Sequence, residues 1–121
     1  MGISTHILDT AIGRPAANVP VSLAFHAASE WISLSAPNLR TDADGRVRQL
    51  LPDAARLNPG HYRVRFETAV YYEAQRLKGL YPYVEITFEV HPWNADSADD
   101  PPHYHIPLLL TANGYTTYRG S

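Results

Sequence analysis

The chain has no cysteine in 121 residues. A disulfide scaffold and thiolate chemistry are therefore both excluded. No stretch approaches the roughly 18 consecutive apolar residues of a membrane-spanning helix. Met1 to Asp9 has neither a basic head nor a long apolar run, so no secretory signal is visible, and a cytoplasmic chain is the simplest reading. There is no excess of positive charge: ten Lys and Arg stand against twelve Asp and Glu, a net charge of -2. That argues against a nucleic-acid partner, which calls for a basic face. No Gly-x-Ser-x-Gly elbow, phosphate loop or dinucleotide fingerprint occurs, so covalent serine catalysis and nucleotide cofactors lack support.

What is present is a folding composition, 45% hydrophobic and 18% charged. One domain over residues 1–121 is expected at this length, burying roughly two-thirds of the unfolded surface. Ten prolines and seven glycines punctuate short alternating runs. Strands are predicted over Ser4 to Thr10, Val19 to Ala27, Trp31 to Ser35, Arg46 to Leu50, His61 to Thr68 and Tyr83 to Val90. Ala69 to Lys78 changes period. Val70, Ala74 and Leu77 fall on one helical stripe, with Gly79 and Pro82 as its stop. Pro92 to Pro102 reads as a polar loop with Asp96, Asp99 and Asp100. A hairpin closes the chain, and Asn113-Gly114 predicts a type I′ turn, whose central residues need positive φ. Short strands at near-regular spacing and one helix make an all-β sandwich.

Histidines and arginines are the candidates for chemistry. His6 and Leu8 share a strand face, with Ile7 and Asp9 on the other. His103 and His105 share a face that continues through Pro107 and Leu109. Pro107 cannot donate to a ladder, so an edge or a non-bonded position is expected for it. Arg46 follows the Asp44-Gly45 turn, where a guanidinium can hold a planar, carbonyl-rich ligand. Taken alone, His6 reads as a surface histidine and Arg46 as a solvated arginine. His103 and His105 with His91 would make a partial zinc set, but no full tetrahedral set is visible. Asp42-x-Asp44-Gly45 opens like a calcium loop and lacks the remaining ligands. Near the end of the sequence, an aromatic, a guanidinium and a carboxylate sit where a strand should stop, which suggests part of a site. Histidines with an arginine favour general acid–base hydrolysis.

These segments together resemble the transthyretin-like 5-hydroxyisourate hydrolases over nearly the whole chain. The likeness rests on Thr5-His6-Ile7-Leu8-Asp9, Gly13-Arg14-Pro15-Ala16, Thr41-Asp42-Ala43-Asp44-Gly45-Arg46, Tyr104-His105-Ile106-Pro107-Leu108-Leu109 and Tyr118-Arg119-Gly120-Ser121. Thr111-Ala112-Asn113-Gly114 departs from a commoner Ser-Pro-containing turn. The resemblance implies a sandwich of two four-stranded sheets with one short helix after the fifth strand. It implies a homotetramer, a dimer of dimers with sites at the dimer–dimer interface. It implies metal-independent hydrolysis of 5-hydroxyisourate without a cofactor, with His6, Arg46 and His105 catalytic and Tyr118, Arg119, Gly120 and Ser121 binding substrate. The related hormone carriers bind thyroxine in the same channel and lack the two histidines, the arginine and the Tyr-Arg-Gly-Ser end. If the alternation holds, Thr116 and Tyr118 join His6, Leu8, His105, Pro107 and Leu109 on one face. The rival readings are a small-molecule carrier, a metal-dependent hydrolase using His91, His103 and His105, and a structural sandwich domain of a larger assembly. The absence of linkers at either end speaks against the last.

Overall fold

A computed structural model describes residues 2–94 and 102–121. Most of the polar loop expected over Pro92–Pro102, including Asp96, Asp99 and Asp100, lies outside the described residues. In chain order the elements are β1 (Gly2–Asp9), β2 (Arg14–Pro15), β3 (Val21–Ala27), β4 (Glu30–Ser33), β5 (Arg46–Val47) and β6 (Gly60–Phe66). They continue with α1 (Thr68–Ala74), β7 (Val84–Val90), β8 (His103–Thr111) and β9 (Gly114–Thr117). One sheet has the order β2-β1-β8-β9, with the two-residue β5 added on β1; the other runs β4-β3-β6-β7. The sheets pack face to face as a sandwich. Counting both two-residue strands, the helix follows the sixth strand rather than the fifth. No helix among the described residues is long and apolar enough to cross a membrane.

Period-two alternation decides which side chains meet the core. On β1, Ile3, Thr5, Ile7 and Asp9 are buried, and on β8, Tyr104, Ile106, Leu108 and Leu110 are. β6 adds Tyr62, Val64 and Phe66 from the facing sheet. The remaining β1 and β8 residues, Ser4, His6, Leu8, His103, His105, Pro107 and Leu109, therefore stand on the outer face of their sheet. β1 and β8 run parallel and in register from Gly2↔His103 to Asp9↔Leu110. The buried Thr5 hydroxyl locks that register by donating to the Ile106 carbonyl at 2.6 Å.

Two expectations are corrected. The helix ends at Ala74, not Lys78, and it buries Thr68, Tyr71 and Tyr72. Val70 and Leu77, on the expected stripe, are 41% and 55% exposed. Tertiary contacts override the periodicity. The Tyr71 hydroxyl donates to Asp9 Oδ2 at 2.7 Å, which turns that face inward. Arg76 then enters the left-handed region at φ 59, and Leu80 N reaches the Ala112 carbonyl at 2.7 Å. The closing turn also differs. Thr111 pairs with Gly114, so Ala112 and Asn113 are the turn residues, and neither Asn113 nor Gly114 has positive φ. The tight turn with two positive φ values is Ala28 (51) and Ser29 (67), between the paired Ala27 and Glu30. No asparagine or glycine marks it in the sequence.

Candidate active site

Three strands build one surface. β5 pairs with β1 so that Arg46 lies beside His6 and Val47 beside Thr5. Val47 and Thr5 are buried, so Arg46 and His6 share the outer face. β8 flanks β1 on the other side and sets His105 beside Ser4 and Pro107 beside His6. His6 thus sits between Arg46 and Pro107 within the sheet, one diagonal step from His105.

A carboxylate turn aims Arg46. Asp42 Oδ1 accepts the backbone N–H of Asp44 at 2.9 Å and of Arg46 at 3.0 Å. The Arg46 carbonyl accepts from Asp42 N at 2.9 Å. The Arg46 N–H bond is the main cause that holds the Asp42 carboxyl below its usual range. Gly45 between them has φ +74, and a Cβ there would lie 2.5 Å from the Ile7 carbonyl oxygen. Only glycine lets the turn approach β1 this closely. On the opposite sheet the arginines are paired, as Arg63 Nε is with Glu85 Oε2 at 3.1 Å. Among the described residues no such ion pair engages Arg46, so its guanidinium is free for a ligand.

His105 is the best-held ring. Its Nδ1 is 2.8 Å from Ser4 Oγ, and the same oxygen is 2.8 Å from His103 Nε2. Gly120 N donates to the His105 carbonyl at 2.9 Å. A Cβ on Gly120 would fall 2.4 Å from His105 Cδ2, so this glycine packs against the imidazole. Nε2 of His105 has no protein partner among the described residues. Burial is the main cause that lowers the His105 pKa below its usual 6.5, and Arg46, His6 and His103 lower it further. That favours the neutral ring, which has one nitrogen bonded to Ser4 and the other open.

A cleft of about 280 Å³ opens here, lined by Ser4, Arg46, Arg48, His103, His105 and Ser121 among others. It carries two guanidiniums and two imidazoles. A neutral imidazole, an unpaired guanidinium and polar walls suit water attack on a carbonyl whose oxygen gains charge.

The sequence-predicted residues are brought together unevenly. His6, Arg46 and His105 share the face, and Gly120 and Ser121 reach it from the final segment. Thr116 pairs with Leu109 and stands on the same face. Continuing the register from Leu108↔Thr117 to the His105↔Gly120 bridge sets Tyr118 opposite Pro107. Pro107 is thus on a central strand, not an edge, where its missing N–H leaves a gap in the ladder before that bridge. Arg119 is not with the histidines. Its guanidinium carbon sits 4.3 Å from the Tyr104 ring centroid, in a second cleft that Phe88 and Tyr118 also line. His91 lies apart with Glu89 at 3.5 Å, and among the described residues no three ligand-type side chains group as a metal site. Ser4 carries no motif of its own in the sequence, and His103 reads there only as a metal ligand. The signal for both was alternation: Ser4 is two residues before His6, and His103 two before His105.

A family model described as the HIUase/transthyretin family matches residues 3–120. The chain is similar to the 5-hydroxyisourate hydrolase of Salmonella dublin, 40% identical over 119 residues that cover 98% of this chain and 80% of that one. It is 36% identical to the 5-hydroxyisourate hydrolase of Mus musculus over 121 residues, 98% and 94% of the two chains. Among solved structures, Klebsiella pneumoniae 5-hydroxyisourate hydrolase superposes with a TM-score of 0.79 at 32% identity, covering 100% of both chains. Sea bream transthyretin in complex with thyroxine superposes with a TM-score of 0.85 at 28% identity, covering 99% of this chain and 95% of that one.

Proposed function

The chain belongs to the HIUase/transthyretin family and is a hydrolase, and on that premise we propose that it opens the ring of 5-hydroxyisourate in urate degradation. The product is 2-oxo-4-hydroxy-4-carboxy-5-ureidoimidazoline. The observation that carries this reading is the His105 ring, tethered at Nδ1 to Ser4 and open at Nε2, near an arginine without an ion pair.

In this mechanism His105 Nε2 takes a proton from water as the water oxygen bonds to the ring carbonyl carbon. Arg46 donates to the carbonyl oxygen as it becomes an oxyanion. The acyl C–N bond then breaks, the departing ring nitrogen takes the proton held by His105 or one from a protonated His6, and the acyl carbon stays attached to the opened product as a carboxylic acid that releases its proton to become the carboxylate. Gly120 and Ser121 form the wall beside His105, and Tyr118 packs against the ring. Arg119 contributes by holding the last segment on Tyr104. No cofactor or metal enters the scheme.

A single domain over residues 1–121 carries the site, completed in a homotetramer where outer faces of this sheet meet across a twofold axis. The half-buried Leu8 and Leu109 on that face support the pairing. The carrier reading draws on the transthyretin likeness, but that likeness is of fold, and an apolar cargo has no use for an unpaired guanidinium beside imidazoles. The test is the ultraviolet decay of freshly made 5-hydroxyisourate with wild-type protein and with His6→Ala, Arg46→Ala and His105→Ala. Wild type accelerates the decay, and each variant loses orders of magnitude while its assembly size is kept. A wild-type protein that leaves the decay unchanged removes the proposal.

A further inference from the structure

We infer that Ser4 and His103 form a positioning chain that holds His105 in the tautomer with a bare Nε2, and that protonation of His103 breaks it; the role in turnover rests on the hydrolase reading above. Ser4 Oγ lies 2.8 Å from both imidazoles. A serine hydroxyl has one hydrogen to donate, with lone pairs to accept. Where Ser4 relays its one hydrogen between two neutral rings, the chain runs in one of two directions. In one, His105 Nδ1–H donates to Ser4 and Ser4 donates to His103 Nε2, which leaves His105 Nε2 unprotonated and basic. In the other, His103 Nε2–H donates to Ser4 and Ser4 donates to His105 Nδ1. His105 then carries its hydrogen on Nε2 and cannot act as a base there.

The hydrolase reading requires the first direction in the working state, because only then is Nε2 free to take a proton. Nε2 is the nitrogen without a protein partner, while Nδ1 is consumed by Ser4. The logic is that of a base oriented by a third group through its far nitrogen. Here the orienting end is an imidazole instead of a carboxylate, with a hydroxyl between. An imidazole can be switched. Once protonated, His103 has no lone pair to receive the Ser4 hydrogen and instead donates from Nε2. The Ser4 hydroxyl loses its acceptor, and it donates to His105 Nδ1 once that ring has passed its own hydrogen through solvent to Nε2. His103 is exposed on its strand, so bulk pH reaches it directly. Ser4 is 8% exposed, so water does not easily replace it. The other charged or titratable groups around His105 are His6 on β1 and Arg46 on β5, with Arg48 lining the same cleft. None of these bonds Ser4.

Two measurements test the chain. Long-range ¹H–¹⁵N correlation spectra of the protein without substrate read each imidazole tautomer, and they need no turnover. Wild type is expected to show His105 protonated at Nδ1 and His103 unprotonated at Nε2 near pH 8. Ser4→Ala is expected to shift His105 toward the Nε2–H form and to lower kcat/KM by about tenfold or more. In the pH profile, wild type loses activity at low pH through both histidines. His103→Gln, whose amide can accept at any pH, reduces the limiting acid slope of log(kcat/KM) by one. A His105 found protonated at Nε2 in the wild type overturns the chain, and so does an unchanged acid slope in His103→Gln. A wild type that does not turn over 5-hydroxyisourate overturns the hydrolase reading instead, and the spectra still decide the tautomer.

Discussion

Gly120→Ala is the sharpest test of how the site is held. Gly120 needs no left-handed backbone, so the argument is one of space alone. The added Cβ would stand 2.4 Å from His105 Cδ2, 3.1 Å from Cγ and 3.2 Å from Pro107 Cγ, whereas ordinary contact begins near 3.4 Å. About 1 Å of movement must be found. The proline is rigid and buried, so the imidazole or the backbone yields. Moving the ring by that amount stretches the 2.8 Å bond to Ser4 out of hydrogen-bonding range. Moving the backbone breaks the 2.9 Å bond from Gly120 N to the His105 carbonyl. Either route misplaces the base by about 1 Å, a displacement that costs on the order of 10²-fold in rate. Overpacking of this kind destabilises by about 1–3 kcal/mol. The assay is kcat for 5-hydroxyisourate decay, read with urea unfolding of the same samples. Gly114→Ala is the control, because its nearest atom, Thr111 Oγ1, would be 3.7 Å away. Turnover by Gly120→Ala within twofold of wild type would refute the claim that this contact positions His105.

Arg46→Gln is expected to lower kcat by about 10²–10³-fold, the effect of removing one donor from a developing oxyanion, with little change in urea midpoint because no protein carboxylate loses a partner. The acid limb of kcat/KM is expected to have its His105 midpoint below 6.5, because burial and neighbouring cations disfavour the charged ring. The same shift has a stability sign. Between the lowered folded value and 6.5 the unfolded chain binds more protons, so stability rises with pH there, and His105 costs stability as pH falls. His105→Gln is therefore expected to narrow the loss of stability between pH 7 and 5, followed by denaturant titration. Tyr71→Phe leaves Asp9 Oδ2 without its 2.7 Å donor and is expected to cost about 1–3 kcal/mol in urea unfolding. The Tyr71 hydroxyl has its pKa pushed up to about 12, mainly by burial and then by the Asp9 bond, so that loss is constant through the neutral range.

The parts legible in the sequence are those governed by period two. The core faces of β1, β6 and β8 follow directly from it, and so does the shared face of His6, Leu8, His105, Pro107, Leu109 and Thr116. The same rule carried Ser4 and His103, but it gives a face and not a partner. Their bond to each other joins residues 99 positions apart, and only the parallel β1–β8 register creates it. The helix departs from its periodicity because its inward face is set by Tyr71 reaching Asp9 across 62 positions, not by aliphatic spacing. The Asn113-Gly114 turn departs from type I′ because Gly114 is drawn into the Thr111 pair and the tip is tied to Leu80. Arg119 was expected among the histidines. Alternation had already assigned it to the other face, since it opposes the buried Ile106 in the continued register.

This division between faces explains how one architecture can serve a hydrolase and a transthyretin that binds thyroxine. The inward residues Ile3, Thr5, Ile7, Tyr104, Ile106 and Leu108 fix the register and hold the sheets together. The outward residues His6, Arg46 and His105 contribute little to that packing, so changing them leaves the fold free to persist. The TM-score of 0.85 to a thyroxine-binding transthyretin is therefore evidence about the inward set only. What separates the two chemistries lies in the outward set and in the glycine that shapes it. Gly120 matters to the imidazole behind which it stands, and Gly45 to the guanidinium it delivers. A carrier needs neither constraint. The hydrolase reading thus predicts that substitutions at these outward positions depress turnover far more than stability, whereas Tyr71, on the inward side, does the reverse.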